Sequence, residues 1–353
     1  KIIEASDNNF VHSWNSFLIN FPQYSFNYQV PIIEYYKLLS KEPLDKSFIV
    51  KSNDEPLAIC VLVLEHVGGR IQASWSNGAF LPIPLLHSEL SKKQTSALEE
   101  FIFEEIKCRL LKHNVSRMFV RADSLSVGFD SIENQMFARF GALDISINHH
   151  IKDLSMGEES MWSEIRHSYK SIINMGLKTY EFKVYDKHNY TSEVGLEHRL
   201  LHQKTSGRLT RPVSTFDKMY SWIENECGLM FEQRYNNQTV QMILVALGKG
   251  TAYGASAADN PDVEVPHQLT HSMNYFIFQQ VARRGFKYYD LGATTYRSTP
   301  FMMQTPKELK INHFKRGFGG RPYPHKYWVW FSELAEEVVY MEEQLYKYKE
   351  VNS

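Results

Sequence analysis

The most informative part of the sequence is residues 288–321, which read YYDLGATTYRSTPFMMQTPKELKINHFKRGFGGR. An apolar strand opens it and ends at Gly292, where a chain can leave the carboxyl end of a sheet. A basic, aromatic and glycine-rich segment closes it at residues 313–320 (HFKRGFGG), and this composition predicts a turn. Glycines let backbone N–H groups approach a ligand, and Lys315 and Arg316 add cationic donors. We therefore expect an anion-binding site beside the end of a strand.

The segments before this stretch predict strands and one helix. Apolar residues indicate strands at 229–234, 239–247 and 251–256, then a helix from about 268 to 284. The first half of the chain shows the same order. It has an apolar run at 57–64 that pairs antiparallel with 70–75, a helix after Ser91, and a strand at 118–121.

Each half is thus a β-hairpin, a crossover helix and a parallel strand. The fold class predicted is α/β with mixed sheets, in two tandem domains that cover residues 1–155 and 156–353. A terminal helix is expected at 332–348, where apolar residues recur at helical spacing.

The charge of the chain is balanced overall and uneven locally. With 39 basic and 40 acidic side chains, the protein is neither a polybasic nucleic-acid coat nor an acidic tail. Between residues 283 and 326, however, ten Lys or Arg face two acids, a local excess of about +8. The remainder carries about −9, so the positive charge is concentrated beside one segment.

Composition also limits the class of protein. A hydrophobic content of 43% indicates a soluble globular chain, and the longest apolar run is too short to span a bilayer. The three cysteines form no CxxC pair, so neither a zinc ribbon nor a disulfide scaffold is indicated. Residues 1–20 show no signal-peptide pattern, and we expect a cytoplasmic protein.

Several common catalytic motifs are absent from the sequence. It contains no GxxxxGK[ST], no GxGxxG after a strand and no GxSxG. The pairs His198/His202 and His267/His271 have i, i+4 spacing, but no third ligand accompanies them. We therefore expect no metal and no resident cofactor.

The stretch at 288–321 resembles the end of the second domain in the FemABX family, the aminoacyltransferases that build peptidoglycan interpeptide bridges. That family shows a Tyr-x-x-x-Gly strand end followed by F-K-x-x-F-G, matched here by Tyr288, Gly292 and residues 314–319. The resemblance implies a doubled acyltransferase (GNAT-like) fold. Between residues 180 and 229 there is no room for the long helical arm of some members, so a compact form is expected.

Three weaker matches support this resemblance. Residues 161–178 resemble the helix that begins the family's second domain. Gln29 and Lys37 match a Gln…Trp…Lys element, with Ile33 in place of the Trp. Residues 121–124 (RADS) resemble a strand-end Arg-x-Asp-Pro.

The resemblance also implies residue roles. Lys315 would stabilise the oxyanion or position the donor, and Phe314 would stack beside the donor. Asp123 would lie near the acceptor amine and orient or deprotonate it. Lys37 would bind substrate.

Further candidates come from the residues themselves. Arg208 and Arg211 stand among Ser, Thr, Gly and Pro, which favours a loop that binds phosphate or carboxylate. The alternative is a surface loop with a proline at the start of a helix. Tyr169 and Lys170 share a helix face with Arg166 and could line the same site, but the spacing favours a solvated amphipathic face. The set of candidate substrate-binding residues is completed by Arg316, Tyr253, His202 and His271.

Three functions remain open at this stage. The first is amide formation between aminoacyl-tRNA and a primary amine of a cell-envelope precursor or amino sugar. The second uses an acyl-CoA donor with an amino sugar or amino acid as acceptor; residues 255–284 contain no glycine for a pyrophosphate-binding turn, which weakens it. The third is a non-catalytic module that binds a nucleotide sugar or RNA.

Overall fold

The computed structural model describes residues 1–123, 125 and 136–352, so Ser124 of the RADS segment lies outside the described residues. The helices are α1 (Phe10–Asn20), α2 (Val30–Leu39), α3 (Lys92–Lys112), α4 (Met136–Arg139), α5 (Glu158–Ser163), α6 (His167–Thr179), α7 (Ser192–Ser206), α8 (Val213–Glu224), α9 (Leu269–Arg283), α10 (Pro306–Arg316) and α11 (Leu334–Asn352).

The strands are β1 (Ile2–Glu4), β2 (Leu44–Asp45), β3 (Phe48–Ser52), β4 (Glu55–Cys60), β5 (Val63–Val67), β6 (Arg70–Ala73), β7 (Leu81–Pro82), β8 (Leu85–Leu86), β9 (Arg117–Ala122), β10 (Leu143–Asp144), β11 (Ile147–Asp153), β12 (Glu181–Tyr185), β13 (Gly228–Tyr235), β14 (Gln238–Leu247), β15 (Thr251–Asp259), β16 (Tyr288–Ala293) and β17 (Arg321–Phe331).

One large mixed sheet contains most of these strands, in the order β12-β13-β14-β15-β16-β11-β17-β9-β6-β5-β2, and a smaller sheet holds β1-β3-β4-β8. The long strand β17 connects the two halves of the large sheet. Its residues 321–325 pair with β11, and its residues 326–331 pair with β9. The ends of β9 and β16 are therefore brought to the same central region.

The repeated order of elements predicted from the sequence is confirmed. In the first half, the β5–β6 hairpin is followed by α3, and β9 then pairs in parallel with β6. In the second half, β13, β14 and β15 are antiparallel, and α9 leads to β16, which is parallel to β15. The mixed α/β class is thereby established.

The sequence predicted one strand for the apolar run at residues 57–64. The structure contradicts this prediction. It forms the end of β4 and the start of β5, which belong to different sheets. The residues between 58 and 64 are all buried. Because both sheets are covered here, the apolar pattern does not show where the chain leaves one sheet for the other.

The two halves share buried contacts. Trp328 and Trp330 of β17 pack in the hydrophobic core formed by the first half. In the other direction, Tyr35 of α2 packs edge to face on Trp222 of α8, with ring centroids 4.9 Å apart. The boundary near residue 155 stays a prediction.

The compact form expected from the sequence is confirmed. Helices α7 and α8 occupy residues 192–224, contact each other and pack on β13, β14 and β15. Their lengths are 15 and 12 residues, too short for a projecting coiled-coil arm.

Candidate active site

A cavity opens where two neighbouring strands of the second half diverge. β15 and β16 pair in parallel from Thr251 opposite Tyr288 to Tyr253 opposite Asp290. Beyond that register β15 continues to Asp259, and a cavity of about 300 Å³ lies against residues 254–257. Diverging parallel strands leave a cleft at their carboxyl ends, where ligands commonly bind.

Lys315 lines this cavity. Its Nζ lies above Gly292, at the end of β16, so close that a Cβ built there would be 2.8 Å away. Among the described residues, nothing forms a hydrogen bond or ion pair with this Nζ. Burial lowers the pKa of Lys315, and the nearby carboxylate of Asp290 offsets part of that effect. A cation without a fixed partner is therefore directed into the cavity.

Lys315 lies on a helix, whereas the sequence analysis predicted a turn. Helix α10 begins with a capping box between Thr305 and Glu308, and Pro306 stands in its first turn. The glycines follow the helix, and a Cβ at Gly317 would meet the Tyr169 ring at 2.1 Å. The glycines thus permit close packing that fixes the last turn of α10 and the position of Lys315.

Four predicted substrate-binding residues surround this helix end. Phe314 and Tyr253 line the cavity, and Tyr253 stacks on Phe26 of the first half with ring centroids 5.1 Å apart. The Tyr169 hydroxyl donates to the Phe314 carbonyl at 3.3 Å. His271 packs against both Tyr169 and Phe314, and burial lowers its pKa. The structure therefore brings these residues together with Lys315.

Asp290, on β16, also lines the cavity. Its carboxylate accepts hydrogen bonds from His149 Nδ1 at 2.9 Å and from the Gly292 backbone N–H at 2.6 Å. His149 Nε2 lies 3.0 Å from the Tyr327 hydroxyl. Burial alone would raise the pKa of Asp290, but His149, His325 and the Gly292 N–H together lower it well below its usual range. Asp290 is therefore an ionised carboxylate.

Asp123, at the end of β9, reaches the same cluster from the first half. Its Oδ1 lies 3.6 Å from His325 Nδ1 and 3.6 Å from Arg121 Nε. Its Oδ2 accepts a hydrogen bond from Asn27 Nδ2 at 3.1 Å. Burial acts to raise its pKa, but Arg121 and His325 outweigh burial and lower it. The equivalent strands of the two halves thus each bring an ionised aspartate to this cluster, Asp290 within β16 and Asp123 directly after β9.

His149, Asp290 and His325 offer ligand atoms within 4.8 Å of one another, a spacing that a metal ion could bridge. However, the two imidazoles are stacked, with centroids 3.6 Å apart and an interplanar angle of 19°. Ring lone pairs lie in the ring plane, so nearly parallel rings do not direct them to one point. A metal would require one ring to turn, and the arrangement fits a hydrogen-bonding site better.

Other predicted site residues lie away from the cavity. The Arg316 guanidinium covers the Tyr296 ring at 4.1 Å and donates to Thr294 Oγ1 at 3.2 Å. Lys170 donates to the Ser163 carbonyl at 3.4 Å and lies above the Trp162 ring.

Three further candidates lie on helix α2 or against helices α2 and α8. Lys37 forms ion pairs with Glu34 and Asp45 at 2.7 and 2.8 Å. Arg211 donates to the Tyr35 hydroxyl at 2.7 Å, and the ring of His202 packs on Phe216. Arg208 is exposed. Their substrate-binding roles stay predictions.

Nothing in the sequence alone marks His149, His325 or Tyr327 as site residues, and the sequence marks Asp290 only as part of a strand end. The sequence pattern that could identify them is weak. Each lies in a strand, where a polar residue can also face solvent. Two adjacent histidines, His149 and His150, mark β11, but they point to opposite faces of the sheet. Only the pairing of β11, β16 and β17 brings the cluster together.

We expect Gly292→Ala to displace Lys315 and to reduce activity by about 10–100-fold. Gly292 has φ +89°, and the new Cβ would occupy the space of Lys315 Nζ. The matched control is Gly285→Ala, because Gly285 has φ +85° and nothing within 4 Å of its Cβ position. Both variants should lose about 1–2 kcal/mol of stability from backbone strain. Equal activity in the two, measured as kcat/KM beside urea unfolding, would contradict the assigned position of Lys315.

Comparison with solved structures shows the same fold in other proteins. The structure named FemX matches with a TM-score of 0.68 at 11% identity, covering 96% of this chain and 100% of that chain. L-PGS from Bacillus licheniformis matches with a TM-score of 0.62 at 12% identity, covering 97% and 99%. A tandem GNAT protein from the clavulanic acid biosynthesis pathway matches with a TM-score of 0.53 at 12% identity, covering 94% and 98%. The doubled GNAT-like fold expected from the sequence is therefore confirmed over the whole chain.

Neither a protein-family model nor a curated protein sequence matches this chain. Within the described residues, no helix has both the length and the apolar character needed to cross a membrane.

Proposed function

We propose that this protein is an N-acyltransferase that forms an amide between an activated carboxyl donor, aminoacyl-tRNA, and a primary amine of a cell-envelope precursor or amino sugar. One observation carries the proposal: Lys315, which has no hydrogen-bond or ion-pair partner among the described residues, directs a cation into the cavity between β15 and β16, where the ionised Asp290 also lines the wall. The doubled acyltransferase fold supports it.

The geometry suits the charges that develop in amide formation. Attack on the donor's carbonyl carbon places negative charge on its oxygen, and a preorganised cation stabilises that oxyanion most effectively where water is limited. Lys315 is half-buried at the cavity and held by a rigid helix end. Phe314, on the same cavity wall, would stack against the donor. Asp290, which lines the cavity, and Asp123, 3.6 Å from His325 in the adjoining cluster, would offer acceptors to the amine.

The choice of donor rests on charge and on the FemABX resemblance. Residues 283–326 carry the local excess of about +8, which favours a polyanionic donor. An acyl-CoA donor is the second candidate, because a tandem GNAT protein shares the fold and diverging strands can accommodate an extended acyl group. The segment before α9 has no glycine-rich turn for a pyrophosphate, which favours the first candidate.

Donor choice is the direct test. Purified protein is offered labelled aminoacyl-tRNA or acetyl-CoA with amino sugars and lysine-containing peptides as acceptors, and amide products are separated and counted. We expect amide formation with aminoacyl-tRNA, with an affinity for tRNA that falls steeply between 50 and 200 mM salt, as about 0.9 counterions are released per phosphate contact. Turnover with acetyl-CoA alone would establish the second candidate. Tight RNA binding without turnover would instead indicate a binding module.

A further inference from the structure

Two hydrogen-bond acceptors face each other across a narrow gap beside the cavity. His325 Nε2 lies 4.0 Å from Asp290 Oδ2, too far for a direct hydrogen bond. The carboxylate is ionised and already accepts from His149 and from Gly292. His325 is 2% exposed, and no partner within hydrogen-bond distance of its buried Nδ1 exists in the described residues.

The tautomer of His325 follows from its neighbours. It is surrounded by Arg121 on β9 and Asp123 directly after that strand, by His149 on β11, by Asp290 on β16 and by Tyr327 on its own strand. Burial, assisted by His149, lowers the pKa of His325 to about 3, so the ring is neutral and carries one N–H.

Of the two carboxylates that face the ring, Asp123 is the nearer, 3.6 Å from Nδ1, whereas Asp290 Oδ2 is 4.0 Å from Nε2. We assign the proton to Nδ1 on this difference in distance, which leaves the lone pair on Nε2. Nε2 and Asp290 Oδ2 are then both acceptors.

A group with two N–H bonds on one atom satisfies both acceptors. Each N–H···acceptor contact places the donor nitrogen about 2.9 Å from its acceptor, so one nitrogen can bridge two atoms that are 4.0 Å apart. Water can do the same, and a primary amine can replace it.

We propose that His325 Nε2 and Asp290 Oδ2 form the subsite that holds the acceptor's primary amine. The identity of the reaction rests on the function proposed above; the amine site itself does not.

This subsite orients the amine for attack. The ammonium ion loses its extra proton to solvent, and the neutral amine donates its two N–H bonds to His325 and Asp290, which leaves its lone pair directed away from both. The lone pair forms the C–N bond with the donor carbonyl carbon. The single bond from that carbon to the donor's ester oxygen then breaks. One amine proton moves to the ester oxygen, which leaves as the alcohol. Lys315, above Gly292 on the same strand end as Asp290, is placed for the carbonyl oxygen.

Two substitutions of His325 distinguish the effect of losing the hydrogen-bond acceptor from the effect of losing the ring. His325→Phe keeps a ring that stacks on His149 but removes the acceptor, and His325→Asn restores an acceptor without the ring. With the donor saturating, we expect KM for the amine to rise about 10–30-fold in the Phe variant, the loss of one hydrogen bond in a charged site, and to recover partly in the Asn variant. KM for the donor should be unchanged. The exposed His188→Asn serves as control. The proposal would be overturned if KM for the amine rose equally in both variants. It would also be overturned if only KM for the donor rose.

A binding measurement decides the matter without any donor. Protein with ¹⁵N-labelled histidine is titrated with ethylamine, and the ¹⁵N resonances of His325 are assigned by their absence from the Asn variant. We expect ethylamine to shift the Nε2 resonance of His325 and to leave His188 unchanged. An unmoved His325 signal would overturn the amine subsite. Absence of amide formation with every donor, together with a shifted signal, would instead contradict only the proposed function.

Discussion

Replacing Lys315 with alanine is expected to lower kcat by about 10²–10³-fold, the cost of removing one preorganised oxyanion donor. The fold should remain, because α10 is fixed by its capping box and by the packing of Gly317 on Tyr169. Stability should be unchanged or slightly higher. Burial lowers the pKa of Lys315 in the folded protein, which means that folding penalises its charged form at neutral pH.

The matched control is Lys310→Ala, five residues earlier on α10 and exposed. It removes the same charge from the same helix without touching the cavity, and we expect kcat to change less than 2-fold. Steady-state kinetics and thermal unfolding of both variants provide the comparison. If Lys315→Ala retained wild-type kcat, the catalytic assignment would be lost, whereas a common loss in both variants would indicate only a general effect of charge.

Asp290→Asn is expected to lower both activity and stability. The amide side chain cannot replace a carboxylate that accepts from His149 Nδ1 and from the Gly292 N–H, so the cluster loses its charged acceptor. We expect a loss of about 2–3 kcal/mol at pH 7, between the value of a hydrogen bond to a charged group and that of a buried pair. The substitution also weakens the hydrogen bond that holds Gly292, the residue directly beneath Lys315 Nζ. Activity should therefore fall by at least 10-fold.

The stability loss of Asp290→Asn should become smaller as the pH falls. The pKa of Asp290 is lower in the folded protein than in the unfolded chain, where a carboxyl titrates near about 3.9. The carboxylate therefore contributes its stabilisation above that value and loses it as pH falls towards the folded pKa. Urea unfolding should show the difference between wild type and Asp290→Asn narrowing from pH 7 to pH 3.

Asp262→Asn is the control for this measurement, because Asp262 pairs with Lys204 at the surface with 65% of its side chain exposed. Its stability loss should stay below about 0.5 kcal/mol at every pH. A difference for Asp290→Asn that is constant with pH would mean that the carboxylate is not held ionised by its neighbours.

The order of elements in each half was predictable because it depends on local patterns. Apolar runs and helical spacing located β13 to β16 and α9 to within a few residues, and the residues after Ser91 gave α3, where the structure shows a capping box with Gln94. The same approach missed α10. Its start signal, Thr305 followed by Pro306 and Glu308, is present in the sequence, but the glycines at 317–320 suggested a turn.

Of the candidate site, the sequence indicated the part that is continuous in the chain. Residues 288–321 contain Asp290, Gly292, Phe314 and Lys315, and the structure places all four at one cavity or strand end. Lys37 and Arg211 also carry charges suited to a ligand, yet the structure gives them partners, Asp45 and Tyr35 among them, that no local pattern reveals.

Only the tertiary structure shows that Asp123, His149, Asp290 and His325 form a cluster. Three of these residues lie on strands and Asp123 directly follows a fourth, and up to about 200 positions separate them in the chain. Their meeting depends on the register of β9, β11, β16 and β17, in which a shift of one residue would turn each side chain to the other face. Periodicity and composition report which residues are buried near one another along the chain. They carry no information on such register, because it is set by packing between segments that are distant in sequence.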